Sequence, residues 1–184
     1  VETVTTIVGI ALIVVTIGIV IFAAPIIDLL GSRLQETEVG LLITRPIAIA
    51  QLRIMAPVTI LAALIGIGFG ALNAADQYWL PSVSPLLSSS AVIVGVGILW
   101  LVIGADITDP NYYMLGGIVL AIGTLVGATF QWLLQVPSLW KSGLGRLRLR
   151  FDIKDPGVRD VLKVLGPATF SSGTMQINVY TDLY

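Results

Sequence analysis

The chain has no cysteine and no histidine, and it is poor in charge: lysine and arginine number 10, aspartate and glutamate 11, together 11% of its 184 residues. The missing cysteine removes disulfides and thiolate chemistry, and the missing histidine removes imidazole bases. Zinc sites built from either fall away with them. A formal net charge of −1 leaves no general electrostatic pull toward nucleic acid. No Walker-type glycine loop ending in Lys-Ser or Lys-Thr occurs, so ATP hydrolysis is not expected, and no nucleophile stands beside a base. A non-enzymatic role is expected.

What the chain does have is long apolar runs. Hydrophobic residues make up 56% of it, while an ordinary soluble domain is about 25% charged. Residues Thr3–Ile27, Ile54–Ala75, Gln77–Ala105, Pro110–Trp140 and Val164–Thr181 carry no charge at all. A helix crossing the hydrocarbon layer needs roughly 20 predominantly apolar residues. Inside lipid the backbone must satisfy its own polar groups, and continuous runs of this length suit helices, not the alternating strands of a barrel. The expected fold is therefore all-α, a polytopic membrane protein with five transmembrane helices. The first run lacks a basic leader and is too long for a signal peptide core, so it reads as a span. The sequence opens on Val1 and stops at Tyr184 within an apolar segment, and the expectation is a piece of a longer protein.

The first helix is expected over about Thr3 to Leu30, closed by Gly31-Ser32, with an amphipathic segment following. Pro46 suits the first turn of the second helix, which extends to about Ala75 and is expected to kink at Pro57. Tyr78 and Trp79 belong at headgroup level. The third helix covers about Pro81 to Ile103 and ends in a polar turn bearing two carboxylates. The fourth runs from about Met114 to Trp140.

Seven of the ten basic residues then fall together: Lys141, Arg146, Arg148, Arg150, Lys154, Arg159 and Lys163. Asp155-Pro156 reads as N-cap and first position of the fifth helix. With five spans, this cluster shares a side with the N-terminus and the Asp76 turn, opposite the remaining three basic residues. Lys and Arg concentrate in cytoplasmic loops, which puts the basic linker in the cytosol against anionic lipid headgroups. Topology accounts for the cluster without nucleic acid.

Three groups of residues are candidates for function. Gly66, Gly70 and Asn73 share a helix face, and Gly123 and Gly127 form a second small-residue motif; both are expected to serve close helix packing. Gln131 and Gln135, one turn apart, are expected to make interhelical hydrogen bonds. In the last helix Ser171, Thr174, Asn178, Thr181 and Asp182 form a polar stripe. Such a stripe is costly in a bilayer unless it faces a bundle interior or an aqueous path, so these residues are candidates to line a cavity.

Two stretches resemble a known family. "QLRIMAPVTILAALIGIGFGALNAADQYWLPSVSPLLSS" is similar to the fourth and fifth helices of the MurJ/MviN lipid II flippases. "LLQVPSLWKSGLGRLRLRFDIKDPGVRDVLKVLGPATFSSGTMQINVYTD" resembles their inter-lobe linker and seventh helix. Ser88-Ser89-Ser90 departs from an Asn common in relatives. The resemblance implies the third to seventh helices of a transporter of about fourteen helices, in the multidrug/oligosaccharidyl-lipid/polysaccharide exporter superfamily. Residues 1–140 would then be four helices of the N-terminal lobe, 141–157 the basic cytoplasmic inter-lobe linker, and 158–184 the first helix of the C-terminal lobe. It further implies a multi-pass protein of the bacterial plasma membrane that turns a lipid-linked sugar pyrophosphate across the bilayer by alternating access, with membrane lipids as its other partners. No cofactor is implied beyond a coupling cation, for which the resemblance points to Asp182. Two other readings stand beside it: an exporter of another lipid-linked oligosaccharide or a drug, and a non-transporting membrane scaffold.

Overall fold

The computed structural model describes residues 2–31 and 38–143. The chain divides into two compact units, residues 1–8 with 147–184 and residues 9–146; the architecture below is that of the second. Among the described residues every regular element is helical.

Helix α1 (Glu2–Ile21) and α2 (Ala23–Leu30) meet at a 76° bend. This departs from the single first helix expected, and Pro25 supplies the reason. It has no N–H to give to Ile21, and its ring would press on that carbonyl. The chain therefore breaks at Phe22 (φ −94°, ψ 18°) and restarts, with Ile26 N–H bonding back to Phe22 O at 3.0 Å. Gly31 closes α2, its N–H bonding to Ile27 O.

The backbone described from Glu38 is helical, and Pro46 lies in the first turn of the α-helix Arg45–Met55, as expected. What the sequence did not suggest is the π-helical turn, Gly40–Thr44, that precedes this helix, α3; Arg45 N–H reaches back to Gly40 O. The widened turn sits where Pro46 can offer no hydrogen to the chain behind it. Helix α4 (Val58–Ala74) follows a 42° bend at Ala56-Pro57, the kink expected there.

A tight turn leads into α5 (Trp79–Ile103), and Asp76 within it adopts φ 57°. Asp is one of the few side chains that visit this region at modest cost. Gly104 ends α5 at φ 71°, ψ −138°, a conformation open in practice to glycine alone. Two 3₁₀ turns, Gly104–Thr108 and Pro110–Tyr112, carry the chain to α6 (Tyr113–Lys141). Asp109 caps the second turn by accepting from Asn111 N–H at 2.8 Å. Helix α5 and the Pro110–Lys141 segment are each long and apolar enough to cross a membrane. The bent pairs bring the number of such spans to four if each pair is one crossing. The fifth span expected from the sequence lies outside the described residues.

Helix α6 is the centre of the unit, with α5, α3 and α4 packed on it. The buried positions mix small residues, Ala56, Ala121 and Ala128 with Gly117, Gly123 and Gly127, and a few branched ones, Ile49, Ile65, Leu72, Leu80 and Leu99. Many more large apolar side chains are exposed, Val14, Leu87, Leu101, Val102 and Phe130 among them. A water-soluble protein arranges this the other way round. In lipid there is no hydrophobic drive between helices, so close backbone approach holds them together and branched chains face the solvent hydrocarbon.

Candidate functional site

Of the residues singled out in the sequence, the polar stripe Ser171, Thr174, Asn178, Thr181 and Asp182 lies outside the described residues. So do Arg146, Arg148, Arg150, Lys154, Arg159 and Lys163 of the linker. Lys141 is described, and it is the last residue of α6. A cation there faces the negative end of the helix dipole.

Gly123 and Gly127 are buried against α5. A Cβ at Gly127 would lie 2.6 Å from Ser88 O and 2.8 Å from Ser88 Cα; one at Gly123 would lie 3.2 Å from Val92 Cα. Backbone meets backbone at both points. Helix α4 differs from expectation. Gly66, Gly70 and Asn73 are exposed among the described residues, and a Cβ at either glycine would meet nothing within 4 Å. The close approach in α4 is at Gly68, two residues from each and so about 200° around the helix. A Cβ on Gly68 would run into Gln135 Oε1 of α6.

Gln135 is fully buried, and its amide does not bridge helices as expected. Its Nε2 donates to Gln131 O at 3.1 Å, inside its own helix, while Oε1 faces Gly68 and accepts no hydrogen bond among the described residues. Ser84 Oγ in α5 is likewise buried without a partner there. Unpaired polar atoms in such surroundings are costly, and Thr16 Oγ1 in α1 is a third among the described residues.

Three polar contacts emerge that the sequence reading missed. Asp28 of α2 and Arg45 at the start of α3 form a two-pronged ion pair, Arg45 Nε to Asp28 Oδ1 at 2.6 Å and Nη2 to Oδ2 at 2.9 Å. The guanidinium fork matches a carboxylate in this geometry, and it ties the bend after α1 to the π-helical turn. Gln51 Nε2 of α3 donates to Gly117 O of α6 at 3.1 Å. Here too glycine is required, since a Cβ at Gly117 would strike Ile47 Cγ2. Gln77, in the turn before α5, grips the end of α6: its Nε2 donates to Ser142 Oγ at 3.0 Å, and Ser138 Oγ donates to its Oε1. Beside it Tyr78 donates its hydroxyl to Asp76 at 2.8 Å, which holds the phenol above its usual range. The available signal was polarity at the edges of apolar runs: Asp28, Gln51 and Gln77 each lie within or beside apolar helices, where a polar side chain needs a partner.

These contacts fasten helices to one another. The described residues include no cluster of three or more acidic side chains able to hold a metal. What they build is a packed set of apolar helices with polar ties near the helix ends.

Comparison with known proteins gives this bundle a family. The family model for lipid II flippase MurJ matches residues 1–184. A probable lipid II flippase MurJ from Synechocystis is 50% identical over the full chain, which covers 33% of that relative. A lipid II flippase MurJ from Burkholderia cenocepacia is 30% identical over 73% of this chain and 25% of its own. A probable lipid II flippase MurJ from Haemophilus influenzae is 27% identical over 71% of this chain and 24% of its own. The chain thus spans about a third of the length of the Synechocystis relative and about a quarter of the other two. These matches and the apolar helices point to a bacterial membrane protein, and the chain belongs to the MurJ lipid II flippase family.

Proposed function

We propose that the chain is part of a flippase that carries a lipid-linked peptidoglycan precursor across the bacterial plasma membrane by alternating access between two helical lobes. The observation that carries this reading is the family match across all 184 residues. It favours a flippase over a scaffold or an exporter of another substrate class. Helices α1–α6 would belong to one lobe, moving as a body because α6 is locked to α3, α4 and α5 by glycine approaches and side-chain ties. The protein would be a transporter and not a catalyst. Its substrate is a lipid-linked sugar pyrophosphate, and its other partners are membrane lipids.

The linker cations Arg146, Arg148 and Arg150 would lie on the cytosolic face, where they attract anionic lipid and the substrate pyrophosphate. The stripe from Ser171 to Asp182 would line the cavity between lobes, with Asp182 as the carboxylate for a coupling cation and no other cofactor required. The open face at Gly66, Gly70 and Asn73 would be covered by helices of the complete protein. Complementation tests the reading: the complete gene is expected to restore growth to a strain depleted of its lipid II flippase, and failure despite normal membrane insertion would overturn it. Cysteine labelling of intact cells at residue 148 tests the sidedness, since labelling from outside would refute a cytosolic linker. Asp182→Asn is expected to change the cation dependence of flipping, and an unchanged dependence removes the cation role.

A further inference from the structure

The first apolar run, Thr3–Ile27, is not a straight rod, and its bend decides where the crossing ends. Helix α1 has 20 residues, about 30 Å at 1.5 Å each, which by itself matches the hydrocarbon layer. Helix α2, eight residues long, then departs at 76°. With α1 along the bilayer normal, α2 changes depth by only about 3 Å over its ~12 Å length. With α1 leaning by about 20°, a usual tilt, the change is about 7 Å. A straight continuation would change depth by the full ~12 Å. The bend therefore lays α2 close to the membrane plane.

The depth of that plane follows from the packing on α6. Gln51 Nε2 donates to Gly117 O and Gly68 lies against Gln135, so the α3–α4 segment runs parallel to α6 with an offset of 66 to 67 residues. Arg45 is then level with Asn111, in the 3₁₀ turn that precedes α6. This is the polar end of α5 and α6. It carries Asp106 and Asp109, and Tyr112 and Tyr113 stand exposed beside them, as amphipathic aromatics do at headgroup level. The two-pronged pair with Arg45 holds Asp28, and with it α2, at the same level. The pair suits such a place. Its side chains are 31% and 33% exposed, and charges at a bilayer boundary keep water that the hydrocarbon centre denies them.

Two separate measures, the length of α1 and the level of Arg45, thus put α2 at a membrane boundary. Its own pattern agrees. Phe22, Pro25 and Leu29 fall within about 60° of one another around the helix axis, and all three are exposed among the described residues. Ala23 is buried, and Asp28 is turned to Arg45. A short helix with one apolar side is at home where headgroups meet acyl chains. We propose that the first crossing ends at Ile21 and that α2 is an interfacial helix, lying in the phospholipid headgroup layer and neither crossing nor leaving the bilayer.

Spin-label depth measurement on the complete protein in phospholipid nanodiscs tests the placement. The chain has no cysteine, so single cysteines at exposed positions carry the label: Val14, Ile17 and Ile21 in α1, and Phe22, Leu29 and Leu30 around α2. Any cysteine elsewhere in the complete protein is replaced by serine. Accessibility to oxygen, relative to a water-soluble nickel chelate, reports depth. From Val14 to Ile21 the depth is expected to fall by about 1.5 Å per residue. From Phe22 to Leu30 it is expected to stay within about 7 Å, at headgroup level. Three results overturn the proposal: a steady change at the α1 rate through Leu30, full exposure of the Leu29 and Leu30 labels to bulk water, or exclusion of both reagents by surrounding protein. Where a labelled variant does not insert, lysine substitution gives a second reading. Leu29→Lys is expected to keep the membrane yield within about twofold of the unaltered protein, while Val14→Lys, deep in α1, lowers it at least about tenfold. Equal loss from both refutes the interfacial placement.

Discussion

Substituting Gly127 by alanine should push α5 and α6 apart, and the structure indicates how far. The new methyl would sit 2.6 Å from Ser88 O, 2.8 Å from Ser88 Cα and 3.1 Å from Ser88 C, whereas ordinary contact begins at 3.4 Å. The helices must separate locally by about 0.8 Å, the shortfall at the oxygen. Overpacking of this kind costs roughly 1–3 kcal/mol. Against it stands the gain from removing a glycine inside a helix, up to about 1 kcal/mol. Gly97→Ala in α5 isolates that gain, because a Cβ there meets nothing within 4 Å. The two variants share the propensity effect, so their difference reports the collision: Gly127→Ala is expected to be less stable than Gly97→Ala by about 1–3 kcal/mol. Chemical denaturation of the complete protein in detergent measures it. A second comparison separates backbone from side-chain obstacles. Gly68→Ala collides with the end of the Gln135 side chain, so Gln135→Ala should rescue it. Ser88→Gly should not rescue Gly127→Ala, because the atoms in the way are main-chain atoms. Equal stability of Gly127→Ala and Gly97→Ala, or rescue by Ser88→Gly, would refute the backbone-contact account of this interface.

Three other expectations concern the polar ties. Asp28→Asn and Arg45→Gln should each lower the unfolding temperature, and the double variant should lose less than the two combined, because the bidentate pair is broken once; strict additivity in this cycle would show that the pair contributes nothing. Gln77→Ala removes two hydrogen bonds to the end of α6, at roughly 0.5–1.5 kcal/mol each, and faster amide exchange over residues 138–143 should accompany the loss, with Ser138→Ala giving about half the effect. Tyr78 donates to Asp76 and its phenol is raised for that reason first and by desolvation second. Its contribution to stability is thus present below the usual tyrosine pKa of about 10 and lost as pH rises through the raised value. Ultraviolet titration should show the Tyr78 transition moving down in Asp76→Ala, and an unmoved transition refutes the coupling.

The class of fold was legible in the sequence because the bilayer imposes so few solutions. Uncharged runs of helix-spanning length led to α5 and α6 almost to the residue, and to the bend at Pro57. Where the reading went astray, backbone chemistry was the cause. One helix from about Thr3 to Leu30 is the expectation, yet the carbonyl that Pro25 disturbs, Ile21, lies four residues earlier, and the span breaks there by 76°. Pro46 does sit in the first turn of α3, but the π-helical turn that keeps the chain helical ahead of it has no signature in the residue pattern.

The glycines of "GIGFG" show a different limit. Gly66 and Gly70 satisfy the spacing of a packing motif, and Gly68 between them satisfies nothing that a pattern can express. Yet of these three glycines Gly68 is the one closely approached by the described residues, because a glutamine from a helix more than sixty residues later lies against it. Spacing records which residues share a face of one helix, and it carries no information about which face a distant helix will choose. Gln135 made the same point from the other side: a pair one turn apart on α6 suggested bridges to other helices, and the amide instead bonded to the carbonyl one turn back. That local choice leaves Oε1 unpaired and pressed on glycine, and only a residue without a side chain could stand opposite. The glycine and the glutamine therefore depend on each other, a dependence that arises in the packed bundle and in neither helix alone.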